Sequence, residues 1–148
     1  MIIEKDADLL LEPVDAIGHF CNCCHIFGGL AGKIKQMYPA AYAADIGTPK
    51  NDFKKMGTFS YAVLQSNKHI YNIYTQYDIG MGRHTNYEAV YRGLERVNVH
   101  VLEQGLKSFG LPKNAGCGLG GADWRIVRQI IEVIFERSPL DLYICNYG

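Results

Sequence analysis

The residues best suited to chemistry run from Gly116 to Trp124, Gly-Cys-Gly-Leu-Gly-Gly-Ala-Asp-Trp. They follow an extended run, Ser108 to Pro112, and precede a strongly apolar stretch with helical spacing, Trp124 to Arg137. Glycines between a strand and a helix N-terminus let the backbone take positive φ and approach a ligand closely. Amides at the helix start, lacking an intrahelical acceptor, then point at it with partial positive charge. The natural guest is a phosphate or diphosphate. A similar handover lies earlier, where the apolar run Ala16 to Cys21 ends in Asn22 and a turn containing Gly28-Gly29 leads into a helix from about Leu30 to Tyr38, stopped before Pro39. Two such handovers predict a cleft with a ligand between them.

The surrounding pattern supplies the elements that hold these turns. Met1 to Glu4 reads as a short strand, Lys5 to Asp8 as a polar turn, and Leu9 to Leu11 as the start of a buried segment. Ala16 to Cys21 is nearly continuous in small and apolar residues, as expected of a central strand covered on both faces. Pro39 to Asp45 is a further helical turn and 46–56 a loop. Thr58 to Leu64 and His69 to Thr75 flank the polar turn Gln65-Ser66-Asn67-Lys68 and predict a hairpin. Asn86 to Gln104 is the clearest helix, with Tyr87, Val90, Tyr91, Leu94, Val97, Val101 and Leu102 forming one stripe and Gly105 closing it. Asp123 caps the last helix, whose core face is Trp124, Val127, Ile130, Ile131, Ile134 and Phe135. Ser138-Pro139 breaks it, and Leu140 to Cys145 is a final strand. The order β, β, α, β, β, α, β, α, β predicts an α/β fold, a mixed sheet between helical layers.

Length and composition narrow the function. A chain of 148 residues with 48% apolar and 20% charged content suits one soluble domain, spanning 1–148. Formal net charge is zero and no Lys/Arg run occurs, which disfavours an extended nucleic-acid track. No apolar run approaches a membrane span, and Met-Ile-Ile-Glu-Lys-Asp lacks the regions of a signal peptide, so a cytoplasmic location is expected. The five cysteines are odd in number and expected to be reduced. Cys21-x-Cys23-Cys24-His25 lacks zinc spacing and has no second pair, so neither metal nor cofactor is expected. A nicotinamide-dinucleotide reading of the glycine run fails on placement, since the run lies in the last crossover and no acidic residue follows on a strand at the required distance.

Asp8 after the first strand, His19-Phe20-Cys21-Asn22, Gly28-Gly29-Leu30-Ala31, Tyr74-Thr75-Gln76 and Gly116 to Gly121 together resemble a macrodomain. The likeness covers nearly the whole chain. It is nearest the small branch containing terminal ADP-ribose protein glycohydrolases, ADP-ribose 1''-phosphate phosphatases and proteins encoded by large bacteriophages; a phage origin would place the chain in host cytoplasm. The resemblance implies a three-layer α/β/α fold with a mixed central sheet, and ADP-ribose or an ADP-ribosylated molecule as partner of a monomer. By position, Asp8 would accept from the adenine amino group, and Asn146 or Tyr147 would border the adenine. Gly28, Gly29 and Leu30 with Gly116, Cys117, Gly118, Leu119, Gly120 and Gly121 would enclose the diphosphate. Asn22 would bond the distal ribose hydroxyls.

The same resemblance shows what is missing. One hydrolase branch carries an acidic residue where this chain has Ala31. The terminal glycohydrolase branch uses a Lys and an Asp where this chain has Gln76 and Gly120, so a lysine Schiff base is not available at that place. The polar groups expected near the distal ribose are His19, Asn22, His25, Gln76, Asp78, His84 and Asp123. Because the phosphatase branch has a histidine at the position of His19, this residue is the first candidate for acid or base, with Asn22 and His84 beside it. Two readings follow: an enzyme acting at the distal ribose of an ADP-ribose derivative, or a binder that sequesters ADP-ribose or a related signalling nucleotide.

Overall fold

A computed structural model describes residues 1–80 and 82–147. The strands are β1 (Ile2–Asp6), β2 (Ala16–Asn22), β3 (Phe59–Val63), β4 (His69–Gln76), β5 (Ser108–Pro112) and β6 (Asp141–Asn146). The helices are α1 (Gly29–Met37), α2 (Pro39–Ile46), α3 (Tyr87–Glu103) and α4 (Trp124–Phe135), with short 3-10 turns at Leu9–Leu11 and Phe53–Lys55. One six-stranded sheet has the order β1-β6-β5-β2-β4-β3. Five strands are mutually parallel, and only β3, at an edge, runs antiparallel to its neighbour.

The period-two alternation of β2 builds a core on each face. Ala16 joins Tyr71, Ile73, Phe109 and Leu111 against Val90, Leu94, Val97 and Val101 of α3 and Val127, Ile131 and Phe135 of α4. Ile17 points the other way, to Leu9, Leu10, Ile34 of α1, Ala41 of α2 and Ile70. The result is three layers, α1 and α2 on one side and α3 and α4 on the other, as the sequence pattern predicts. Every residue of β4 is buried, the polar side chains of His69, Asn72, Thr75 and Gln76 included, as expected of a strand covered on both faces.

Local differences have local causes. β1 extends to Asp6 because Lys5 and Asp6 continue the register with Cys145 and Asn146 of β6, so the polar turn is shorter than expected. Pro39, at the first position of α2, starts a full helix rather than a single turn. The 46–56 loop contains the Phe53–Lys55 turn, capped by Asp52. On α3, Tyr91 lies off the buried stripe, and Ala89 and Gly93 take its place among the buried residues.

Candidate ligand site at the carboxyl ends of the parallel strands

Because five strands share one direction, the segments that follow them emerge at one edge of the sheet. Asp8 follows β1, the 23–28 turn follows β2, the 77–86 loop β4, the 113–123 loop β5, and Tyr147 β6. The chain leaves adjacent strands β2 and β5 for opposite faces, through α1 and α4. Such a switch point leaves a crevice beyond the strand ends. Of the sequence-predicted site residues, Asp8, Asn22, Gly28, Gly29, Leu30, Gln76, His84, Gly116 to Gly121, Asn146 and Tyr147 all belong to this edge. His19 does not, since it sits inside β2.

The two glycine turns are built differently. α1 begins without a side-chain cap: Gly28 is its N-cap, in extended conformation, and no side chain bonds the first-turn amides. At the other turn, α4 is already capped, because the Asp123 carboxylate accepts from Arg125 N at 2.9 Å and pairs with the Arg125 guanidinium at 2.8 Å. The available amides there lie in the loop itself. Cys117 N, Gly121 N and Ala122 N bond Asn114 O, Gly118 O and Gly116 O. Among the described residues, no acceptor is recorded for the amides of Gly118, Leu119 and Gly120. Neither Gly28-Gly29-Leu30 nor Gly116 to Gly121 contains a Lys or Arg, so an anion at these glycines would be held by backbone dipoles.

The 77–86 loop is clasped to the second turn. His84 N and Thr85 N both donate to Gly120 O, at 2.8 and 3.0 Å, and Thr85 Oγ1 donates to Gly116 O at 2.9 Å. A Cβ at position 120 would collide with Thr85 Oγ1, Gly116 O and Gln76 Oε1. The space that a longer side chain would need is therefore filled by Thr85 and Gln76. Thr85 has no signal in the sequence, where it is one polar loop residue among several.

His19 is only 2% exposed, and its Nε2 lies 2.6 Å from Oδ1 of Asn72, its cross-strand partner on β4. Asn72 Nδ2 donates to Ala41 O and Ser60 Oγ, so its oxygen must accept and Nε2 must carry the proton. Burial, partly opposed by that hydrogen bond and by Asp45, lowers the His19 pKa to about 4. The ring packs edge-on to Phe27 at 5.4 Å. It is a neutral core histidine beneath the β2–α1 turn.

Other polar candidates are committed to loop structure. Asn22 Oδ1 accepts from Cys24 N and Ile26 N, and its Nδ2 donates to Ile26 O. His25, at φ 61°, bonds Thr48 O through Nε2. Gln76 Nε2 donates to Asp78 O at 2.8 Å, and Asp78 Oδ1 accepts from Ile79 N and lies 3.7 Å from Cys24 Sγ. Burial raises the thiol pKa of both Cys24 and Cys117, which keeps them protonated. At the far end of the edge, Asp8 Oδ1 caps the Leu9–Leu11 turn through Leu10 N at 3.0 Å, and Asn146 Nδ2 reaches Asp6 Oδ1 at 3.4 Å. Beside them, a cavity of about 170 Å³ is lined by Glu4, Lys5, Asp6, Lys113, Ile144 and Asn146. Tyr147 is 70% exposed.

Among the described residues no group of three His, Cys, Asp or Glu is arranged to hold a metal, and no helix is long and apolar enough to cross a membrane.

No family model matches the chain. It is 30% identical over 139 residues to the ADP-ribose glycohydrolase OARD1 of Bos taurus, covering 93% of this chain and 86% of that protein. Among solved structures, the macrodomain of Mycobacterium tuberculosis DarG superposes with a TM-score of 0.83 at 24% identity, over 99% of this chain and 97% of that one. Thermosipho africanus DarTG in complex with ADP-ribose gives 0.76 at 20% identity, over 94% of this chain and 39% of that one. The chain belongs to the macrodomain family.

Proposed function

We propose that this chain binds ADP-ribose in the crevice between the β2–α1 and β5–α4 turns and hydrolyses an ADP-ribose derivative at its distal ribose. The observation that carries the reading is the pair of glycine turns at the ends of adjacent strands, each offering backbone amides to an anion. A pyrophosphate held by Gly29, Leu30 and Gly118 to Gly120 directs the adenosine to one side, toward Asp8, Asn146 and Tyr147. The distal ribose then lies toward Asn22 and the 76–85 loop. Support for hydrolysis comes from the relatives, named as ADP-ribose glycohydrolases in Bos taurus and Homo sapiens.

We assign the proton transfer to groups other than His19, whose ring is buried and bonded to Asn72. In this reading Gln76 orients a water, and Asp78 or His84, on the loop that follows β4, takes its proton. A second reading, a binder without turnover, draws on the same burial of His19 and on Gln76 and Gly120 at the two positions discussed above. Titration calorimetry with ADP-ribose tests the shared part; folded protein giving no heat would refute both readings. Incubation with ADP-ribose 1''-phosphate and with ADP-ribosylated protein or nucleic acid separates them. Release of product supports hydrolysis, and binding without release of any product supports the binder.

A further inference from the structure

The two edges of the sheet are guarded unequally. β1 carries Glu4, Lys5 and Asp6, and Glu4 pairs with Arg128 of α4 at 3.2 Å. Charges of this kind discourage a further strand from pairing. β3, at the other edge, is Phe-Ser-Tyr-Ala-Val, with neither charge nor proline. Its side toward α3 is apolar and open, with Tyr61 41% and Val63 49% exposed beside Val99 of α3 at 49%. A groove of about 510 Å³ adjoins it, lined by Phe59, Glu95, Arg96, Val99, His100 and Glu103. None of these residues belongs to the ligand turns.

We propose that β3 pairs antiparallel with β3 of a second copy of this chain, about a two-fold axis at Tyr61, joining two six-stranded sheets edge to edge. In that register Phe59 of one copy faces Val63 of the other and Ser60 faces Ala62, so every cross-strand pair is neutral. The helix beside the strand is self-complementary as well. Arg96, Val99, His100 and Glu103 share one face of α3 at steps of three and four, positive at one end and negative at the other. His100 packs on Tyr61 with ring centroids 4.5 Å apart, which puts the middle of that face near the axis. The two-fold runs the α3 helices antiparallel on one side of the joined sheet, so Arg96 of each copy faces Glu103 of the other. Arg96 is held in place by its bond to Gly57 O at 2.7 Å. With zero formal net charge, the copies do not repel at neutral pH. The pairing stands against the monomeric state expected from the sequence and does not depend on the ligand.

Sedimentation equilibrium of the full chain, from low micromolar to millimolar concentration, tests it. The wild type dimerises, and Tyr61→Lys and Glu103→Arg each weaken the dimer by about ten-fold or more. The Arg96→Glu/Glu103→Arg double variant recovers most of what Glu103→Arg loses. Circular dichroism checks that each variant is folded. A wild type that stays monomeric, a dimer that survives either single variant, or a folded double variant no tighter than Glu103→Arg overturns the proposal.

Discussion

The β2–α1 and β5–α4 turns read alike in the sequence, and the structure shows that their glycines serve opposite needs. At Gly28 and Gly29 an added Cβ would meet nothing within 4 Å. Gly28 keeps a helix start open and uncapped, while Gly29, at φ 54°, also supplies a left-handed backbone. At Gly120 and Gly121 an added Cβ would run into Thr85, Gly116 and Gln76, or into Gly82 and Arg83, because the 77–86 loop is pressed against the turn. Those glycines permit a close backbone approach. One turn is open and the other is packed, although both lie at the same edge of the sheet.

Substitutions should separate the two uses. Gly120→Ala is expected to have the largest effect, about 3 kcal/mol of lost stability or more, with loss of ADP-ribose binding, because backbone atoms must move to admit the methyl group. Urea unfolding and calorimetry read both effects; a variant as stable as the wild type would mean that the clasp between the two loops is loose. The support of the first turn should depend on pH. His19 titrates near 6.5 when unfolded and at about 4 when folded, so its buried neutral form contributes full stability above about pH 6.5. That contribution, up to about 3 kcal/mol, is lost as pH falls toward 4, because the unfolded state binds the extra proton. Urea midpoints from pH 7 to 4 should fall more steeply for the wild type than for His19→Asn, and equal slopes would remove His19 as the cause. If turnover is found, its pH profile should not carry the His19 ionisation.

Gly28→Asp sharpens the contrast with smaller numbers. The added carboxylate can cap α1, where the backbone is already extended, and should raise stability by a few tenths of a kcal/mol. It should also weaken ADP-ribose binding, since it takes up the amides and places a negative charge where the pyrophosphate belongs. Unchanged affinity would show that the α1 terminus does not hold the anion. Gly28→Ala, at φ −119° in open space, should shift stability by less than about 0.5 kcal/mol. A larger loss would mean that the first turn is packed as tightly as the second.

Much of this architecture was legible in the residues. The stripe Val90, Leu94, Val97, Val101 and the stripe Val127, Ile131, Phe135 marked their helices because only a buried face repeats at that spacing. Both glycine turns and the Asp123 cap could be placed from local chemistry alone. Other features depended on partners distant in sequence. His19 reads as a core residue from its strand and as an acid-base group only through the resemblance, and its bond to Asn72, 53 positions later, favours the core. Thr85 gains its part only by lying under Gly120, 35 positions later. The exposure of Tyr61 and Val63 follows from β3 taking the sheet edge, a matter of strand order that its own residues do not specify.

The sequence alone determined where most of the strands and helices lie and where glycine allows the chain to turn. Periodicity, capping and φ preference act over a few residues, so they can be read in place. The tertiary structure decided which turns meet at one edge, which histidine is sealed from water, and which strand is left without a neighbour. Those outcomes depend on contacts between residues far apart in the chain, and the short-range chemistry of either partner does not record them.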